Sequence, residues 1–150
     1  MFTKILYPTD FSKKSNHALR VVKKLQEAGT KIVVLVHCID SREINTMADM
    51  EGFSSIRFGD IVGEIRSAMK KKAAKQLKEI TSDLGELGFK VEERLVEGIP
   101  FHEILRVADK ESVDAIVIGS TGKGLISEMI LGSTSEKVVR EAKVPVVVVK

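Results

Sequence analysis

The sequence has no tryptophan, one tyrosine and six phenylalanines among 150 residues, so aliphatic side chains must fill most of its core. Its single cysteine, Cys38, excludes an internal disulfide and is typical of a reducing compartment. No apolar run approaches the roughly 18 residues of a membrane-spanning helix, and the N-terminal run is too short for the core of a signal peptide. We therefore expect a soluble, cytoplasmic protein with no membrane partner.

An excess of charge of one sign is also lacking. Lysine and arginine total 24 against 21 aspartate and glutamate, which gives a formal net charge of +3. That balance is too mild to predict a nucleic-acid partner. The length fits one domain, and no linker or repeat interrupts it, so we expect a single domain over residues 1–150.

Five short apolar runs rich in β-branched residues alternate with segments of helical periodicity. The runs are Ile5–Tyr7, Lys31–His37, Phe89–Val96, Val113–Ile118 and Val144–Val149. The second, fourth and fifth are almost continuously apolar, as strands buried on both faces of a parallel sheet must be. Alternating strands and helices predict an α/β fold, a three-layer, doubly wound, parallel five-stranded sheet.

Four helices are predicted between the strands. The first is capped by Ser12 and ends near Gly29, the second runs from about Ile61 to Leu87, the third starts at Pro100, and the fourth runs from about Gly132 to Ala142. The lysine run at residues 70–75 lies opposite the apolar side of the second helix, which predicts a solvated face.

Residues 38–60 form an unusually long predicted connection, since such loops usually have about 2–6 residues. It carries Met47, Met50, Phe53, Ile56 and Phe58. Two interpretations stay open: a surface loop with a short helix and a small apolar cluster, or a lid or partner surface beside a ligand site.

Ligands of open α/β sheets bind beyond the carboxyl ends of the strands, where the strand order reverses. The segments that follow the predicted strands are Pro8–Asp10, Cys38–Asp40, Gly98–Pro100 and Gly119–Gly124, and Gly132–Ser135 opens the last helix. These segments are the candidates for a binding site.

The segment after the fourth strand is the richest of these. Gly119, Gly122 and Gly124 would let backbone N–H groups approach an anion, and Lys123 adds a mobile positive charge. The helix that opens at Gly132 offers further N–H groups and a positive dipole end, so a polyphosphate is favoured. The spacing matches neither a P-loop nor a dinucleotide fingerprint. A ligand-free turn with a helix cap is the alternative.

The spacing G-x2-G-x9-G-[ST] at Gly119, Gly122, Gly132 and Ser133 resembles the nucleotide motif of the universal stress protein family. The opening KILYPTDFS, the second-strand string VLVHCID, the segment from Gly98 to Ile104 and the last thirty-two residues are similar to that family too. The resemblance covers essentially the whole chain, and every position of the motif is kept, as in the ATP-binding branch.

The resemblance implies a sheet order of 3-2-1-4-5, as in adenine nucleotide alpha hydrolase-like folds. It implies ATP with Mg²⁺ or Mn²⁺ bridging the phosphates, and a homodimer paired through Val144–Val149. It also places the predicted nucleotide-binding residues: Pro8, Thr9, Asp10 and Cys38 at the adenosine, and Gly119, Ser120, Thr121, Gly122, Gly132, Ser133 and Thr134 at the ribose and phosphates, with Lys123 and Gly124 beside them. Gly98–Pro100 is a weaker candidate for the pocket wall.

Individual polar residues have competing interpretations. Asp10 could bind ribose, adenine or a cation, or it could form an Asx-turn that caps the first helix. Cys38 reads as an apolar wall residue rather than a nucleophile. His17, His37 and His102 have no ligand-like spacing, so no metal site made by the protein alone is expected, and no catalytic residue is assigned.

Three functions fit these observations. The favoured one is an ATP-binding regulatory switch in the stress response, read by a protein partner, with at most slow or partner-dependent hydrolysis, because no catalytic base or Walker lysine is recognisable. The second is an adenylating or hydrolysing enzyme of the adenine nucleotide alpha hydrolase class. The third is a structural dimer that binds no nucleotide.

Overall fold

The computed structural model describes residues 1–50, 57–121 and 131–150. It contains one parallel five-stranded sheet in the order β3-β2-β1-β4-β5. The strands are β1 (Lys4–Pro8), β2 (Ile32–Asp40), β3 (Lys90–Gly98), β4 (Ala115–Gly119) and β5 (Val146–Val149). The predicted fold class and strand order are therefore confirmed.

Helices cover both faces of the sheet, because alternate residues of each strand point to opposite sides. The helices are α1 (Lys13–Leu25), α2 (Ser41–Met50), α3 (Phe58–Glu86), α4 (Pro100–Glu111) and α5 (Ser133–Glu141). Ile5 and Tyr7 face a core shared with α1 and α3. Leu6 faces the opposite core, shared with α4 and α5. The result is the predicted three-layer arrangement.

The predicted starts of the first, third and fourth helices are confirmed, the second helix begins three residues before its predicted start, and one predicted end is wrong. The Ser12 hydroxyl accepts the Ser15 N–H at 3.3 Å and caps α1, while Pro100 opens α4. Gly29 has the positive φ of a helix-ending glycine, +96°, but α1 ends at Leu25. The chain continues from Gln26 to Gly29 as tighter i→i−3 turns, which periodicity alone does not distinguish from an α-helix.

The connection predicted over residues 38–60 starts too early, since residues 38–40 belong to β2, and it contains a short helix, as one of its two interpretations expected. β2 continues to Asp40 because it pairs with β3 over its whole length, up to Gly98. α2 follows without a linker and buries Ile44 and Ala48, one turn apart. α3 then begins at Phe58, and Phe53 and Ile56 lie outside the described residues.

α3 buries Ala73, Leu77, Ile80 and Leu84 against the sheet. The lysines over residues 70–75 are exposed, as predicted. The helix ends at Glu86, one residue before its predicted end, and Leu87 is 44% exposed.

The two edges of the sheet differ in charge. β3 carries two basic and three acidic side chains, and its Glu92 pairs with Lys90 at 3.1 Å and with Lys4 of β1 at 3.4 Å. β5 is four valines, each half-buried. Within the described ranges, no helix is long and apolar enough to cross a membrane.

Candidate functional site

A cleft of about 270 Å³ opens at the carboxyl ends of β1, β2 and β4, where the strand order reverses. Residues from the N-terminal parts of α4 and α5 line it as well. The topology thus brings together segments that are far apart in sequence.

Most of the predicted nucleotide-binding residues lie together in this cleft. Those lining it are Pro8, Thr9, Asp10, Cys38, Gly119, Thr121, Gly132, Ser133 and Thr134. Pro100, the weaker candidate, lines it as well. Ser120 is 5% exposed and is not among the described residues that line the cleft. Gly122, Lys123 and Gly124 lie outside the described residues.

The turn after β1 is fixed by a dense set of hydrogen bonds. The Thr9 hydroxyl oxygen accepts the Phe11 N–H at 3.1 Å and the Ser15 hydroxyl at 2.7 Å. The Tyr7 hydroxyl donates to the Ser15 carbonyl at 2.9 Å, and burial raises the pKa of that phenol. The hydroxyl group of Thr9 is therefore engaged within the protein.

Asp10 forms an Asx-turn, which is one of the two interpretations that the sequence allows for it. Its Oδ1 accepts the Ser12 N–H at 3.0 Å, immediately before α1. The residue also lines the cleft. Asp10 therefore caps the turn before α1 and also forms part of the cleft wall.

Phe11 holds a strained backbone conformation in the same turn. Its φ of +62° lies in the left-handed region, which costs about 1–2 kcal/mol for a residue with a bulky side chain. Its ring packs against the buried His37 ring with centroids 4.5 Å apart. Such strain persists only where surrounding contacts over-determine the conformation.

Gly119 is required by packing between α1 and β4. A Cβ atom at this position would lie 2.8 Å from the Lys14 carbonyl carbon and 3.0 Å from the Ser15 nitrogen. From the sequence, the missing side chain of Gly119 is predicted to let backbone N–H groups approach an anion. The structure instead shows that its missing side chain lets the first turn of α1 rest directly on the end of β4.

Gly132 joins the last helix to the end of β4. Its N–H donates to the Ser120 carbonyl at 2.8 Å, and the buried Ser135 hydroxyl donates to the same oxygen at 2.7 Å. A Cβ on Gly132 would lie 3.2 Å from the Thr121 Cα. These contacts fix where α5 begins relative to the sheet.

The N-terminus of α5 therefore faces the cleft in a fixed position. Its first intrahelical bond runs from the Glu136 N–H to the Gly132 carbonyl at 2.8 Å. The N–H groups of Ser133, Thr134 and Ser135 precede that bond and have no acceptor within the helix. Together with the positive end of the helix dipole, they form a favourable place for an anion.

The opposite end of the cleft is acidic and apolar. Asp40 ends β2, and its carboxylate accepts the Arg42 side chain at 2.9 and 2.6 Å and the Arg42 N–H at 3.0 Å. Those bonds hold the pKa of Asp40 below its usual range. Glu43 lines this end too, and Met69 and Ile104 add apolar surface.

Cys38 lies in this acidic region as a wall residue. Burial, with smaller contributions from the negative charges of Glu103 and Asp40, raises the pKa of its thiol to about 12. The thiol therefore stays protonated near neutral pH and is a poor nucleophile.

Sequence reasoning missed several lining residues. Val36, Met69 and Ile104 read as core positions, and only tertiary packing places them at the cleft. Arg42 and Glu43 lie on α2, the short helix whose position within residues 38–60 is not predicted from the sequence. A helix beginning directly after Asp40 would have been signalled by the Ile44 and Ala48 spacing.

Among the described residues, no group of three or more His, Cys, Asp or Glu side chains is arranged to hold a metal ion.

Known proteins resemble this chain over its full length. The profile of the Universal stress protein family matches residues 1–150. Universal stress protein MJ0577 of Methanocaldococcus jannaschii is 37% identical, with 100% of this chain and 96% of that protein covered. Its solved structure has a TM-score of 0.88, covering 100% of this chain and 96% of that one.

Two solved universal stress proteins contain nucleotides. One, from Archaeoglobus fulgidus in complex with dAMP, is 21% identical with a TM-score of 0.62, covering 100% of this chain and 98% of its own. Another, in complex with cAMP, is 21% identical with a TM-score of 0.61, covering 99% and 97%. Both share the fold of this chain.

Proposed function

This chain belongs to the universal stress protein family, and we propose that it binds ATP in the cleft as a nucleotide-dependent regulatory switch. The observation that carries the proposal is the α5 N-terminus, whose first N–H groups have no acceptor within the helix and lie at the cleft. The other end of the same cleft is lined by apolar and acidic side chains. A nucleotide has the matching polarity, with an anionic tail on a largely apolar base.

The charges of the cleft favour one orientation of the nucleotide. Phosphates fit the N–H groups of Ser133 and Thr134, and the hydroxyl of Thr121 lies at the same wall. The carboxylates of Asp10 and Glu43 would repel phosphates from the other end. The base and ribose would therefore lie toward β2, beside Cys38.

An adenine nucleotide is favoured over other anions by the relatives. Proteins of the same fold hold dAMP and cAMP. ATP is preferred because the glycine spacing of the last third of the chain supplies room for more than one phosphate.

A divalent ion would accompany the triphosphate. Mg²⁺ and Mn²⁺ prefer oxygen ligands, and the residues Thr121, Ser133 and Thr134, which carry hydroxyl oxygens, line the cleft at the phosphate end. Phosphate oxygens would supply most of the ligands, and the ion would neutralise the charge gathered at the α5 N-terminus.

Hydrolysis is expected to be slow or dependent on a partner. Phosphoryl transfer requires positive charge at the transferred phosphate. The one arginine among the described lining residues, Arg42, lies at the opposite end and is paired with Asp40. A cytoplasmic protein partner that senses ATP occupancy would then read the switch.

The direct test is to identify the nucleotide that the protein carries. Native protein is purified in Mg²⁺ without added nucleotide, denatured, and its supernatant analysed by mass spectrometry. We expect ATP in near-stoichiometric amount, and micromolar or tighter binding when the emptied protein is titrated with ATP. Protein that carries no nucleotide and binds none on titration would support the structural dimer. Release of AMP and pyrophosphate in the presence of cellular metabolites would support an adenylating enzyme.

We propose that the chain forms a homodimer through its C-terminal strand, Val144–Val149. β5 is an uncharged sheet edge, whereas the other edge, β3, carries charged side chains that discourage pairing. The side chains of β5 already pack on both cores. Its outer backbone groups are what a second copy would pair.

Val148→Pro is expected to convert this dimer to a monomer. The Pro145 carbonyl accepts the Ile116 N–H of β4 at 2.9 Å, and the Val149 carbonyl accepts the N–H of Ser120, just after β4, at 2.8 Å. Val146 and Val148 therefore direct their backbone groups outward. Proline at residue 148 removes an outward donor and leaves the β4–β5 ladder intact. Light scattering after size exclusion measures the mass. Val148→Thr, which keeps the N–H and the branched shape, should stay dimeric, and a dimeric proline variant would refute this interface.

A further inference from the structure

We propose that His37 is a positioning residue for the nucleotide site, holding the turn after β1 against β2 so that Asp10 meets the ligand. This role rests on the proposed ATP binding. It assigns to a buried histidine a function that its place in the middle of an apolar strand does not suggest.

The hydrogen bond of His37 determines its proton. Nδ1 lies 2.7 Å from the Thr9 carbonyl oxygen, and that oxygen can only accept. Nδ1 therefore carries the hydrogen and donates it. The residue is 8% exposed, so water competes poorly for this bond.

This hydrogen bond joins β1 to β2 just beyond the last residues that pair in the sheet. The last paired residues of the two strands are Pro8 and Val36, and the Thr9 N–H still donates to the Val36 carbonyl at 2.9 Å. Beyond that point the chain of β1 turns toward α1. The donor to the Thr9 carbonyl is then a side chain of β2, which ties the start of the turn to the neighbouring strand.

The same ring supports the far end of the turn. Phe11, in its left-handed conformation, packs on the imidazole with centroids 4.5 Å apart. His37 thus contacts the residues on both sides of Asp10. The bonds from Thr9 and Asp10 within the turn fix its internal shape, while His37 fixes its position relative to the cleft.

The consequence for binding is specific to one end of the ligand. The turn lines the cleft, at the end that the proposed orientation of the nucleotide assigns to adenosine. Loss of the His37 hydrogen bond should therefore weaken adenosine and ATP by the same factor. A defect at the phosphate end would weaken ATP alone.

The test compares two substitutions of matched shape. His37→Asn keeps an N–H donor at the position of Nδ1, whereas His37→Leu has nearly the same outline and no donor. Both lose the ring that packs on Phe11. We expect the leucine variant to bind ATP and adenosine about tenfold more weakly, and the asparagine variant to bind both within about twofold of native, by calorimetric titration.

Backbone amide shifts of Thr9, Asp10 and Phe11 give a second readout that needs no nucleotide. These shifts should move in the leucine variant and stay close to native in the asparagine variant. Equal ATP affinities for the two variants would overturn the positioning role, as would native-like shifts in the leucine variant. If native protein binds no nucleotide, the proposed function fails, and the amide shifts alone then decide whether His37 holds the turn.

Discussion

ATP should bind the Ser133→Asp protein about a hundredfold more weakly than it binds the native protein, while adenosine binds both equally. Ser133 is the first residue of α5 and lines the cleft at the end assigned to the phosphates. A carboxylate there faces the triphosphate, and two like charges about 5 Å apart repel by roughly 3 kcal/mol at the effective dielectric constant of a protein surface. That energy corresponds to about a hundredfold in affinity.

The aspartate variant separates binding from folding. A negative charge in the first turn of a helix stabilises it by about 0.3–1 kcal/mol, so the variant should melt at or slightly above the native temperature. Ser133→Asn, neutral and similar in size, should keep ATP affinity within about threefold. Fluorescence titration with ATP and adenosine gives both affinities. Unchanged ATP binding by the aspartate variant would remove the phosphates from the α5 N-terminus.

Gly119→Ala should lower the melting temperature by roughly 5–10 °C, from a loss of about 2–3 kcal/mol in the free energy of unfolding. The added methyl group would lie 2.8 Å from the Lys14 carbonyl carbon, and a helix backbone cannot move aside as a flexible side chain can. α1 must therefore shift away from β4, which opens contacts in the core below.

Gly85→Ala is the matched control for that measurement. Gly85 lies within α3, and a Cβ there meets nothing within 4 Å. The substitution should raise stability by about 0.5–1 kcal/mol, because alanine favours helix over glycine. Thermal unfolding is followed by circular dichroism without nucleotide and at one protein concentration, since ligand and dimerisation both shift the midpoint. A Gly119→Ala protein that melts within 2 °C of native would contradict the close contact between α1 and β4.

The fold was predictable because its signals are local. Apolar β-branched runs, the cap at Ser12 and the proline at residue 100 are each read within a few residues, and the structure confirms them. The extent of β2 was not predictable in this way. It depends on pairing with β3, which lies fifty residues further along the chain.

The segments that form the candidate site were predictable from the sequence, whereas the structural roles of individual residues in them were less so. The switch-point rule brought Asp10 and Gly132 to one cleft, as the structure has them. The steric role of Gly119 depends on where α1 lies in space, and the role proposed for His37 depends on a carbonyl twenty-eight residues away. Neither partner is visible in sequence spacing, because both contacts exist only after the sheet forms.

The contact between Gly119 and α1 has a consequence for how such sequences diverge. A descendant that no longer used the ligand would be free to replace Ser133 or Thr134, since those residues face the cleft rather than the core. Replacing Gly119 would carry a further cost, because any Cβ at this position would lie 2.8 Å from the Lys14 carbonyl carbon whether or not a ligand is bound. Of these positions, the residues that open the last helix are therefore the better indicator of whether a related chain still binds a nucleotide.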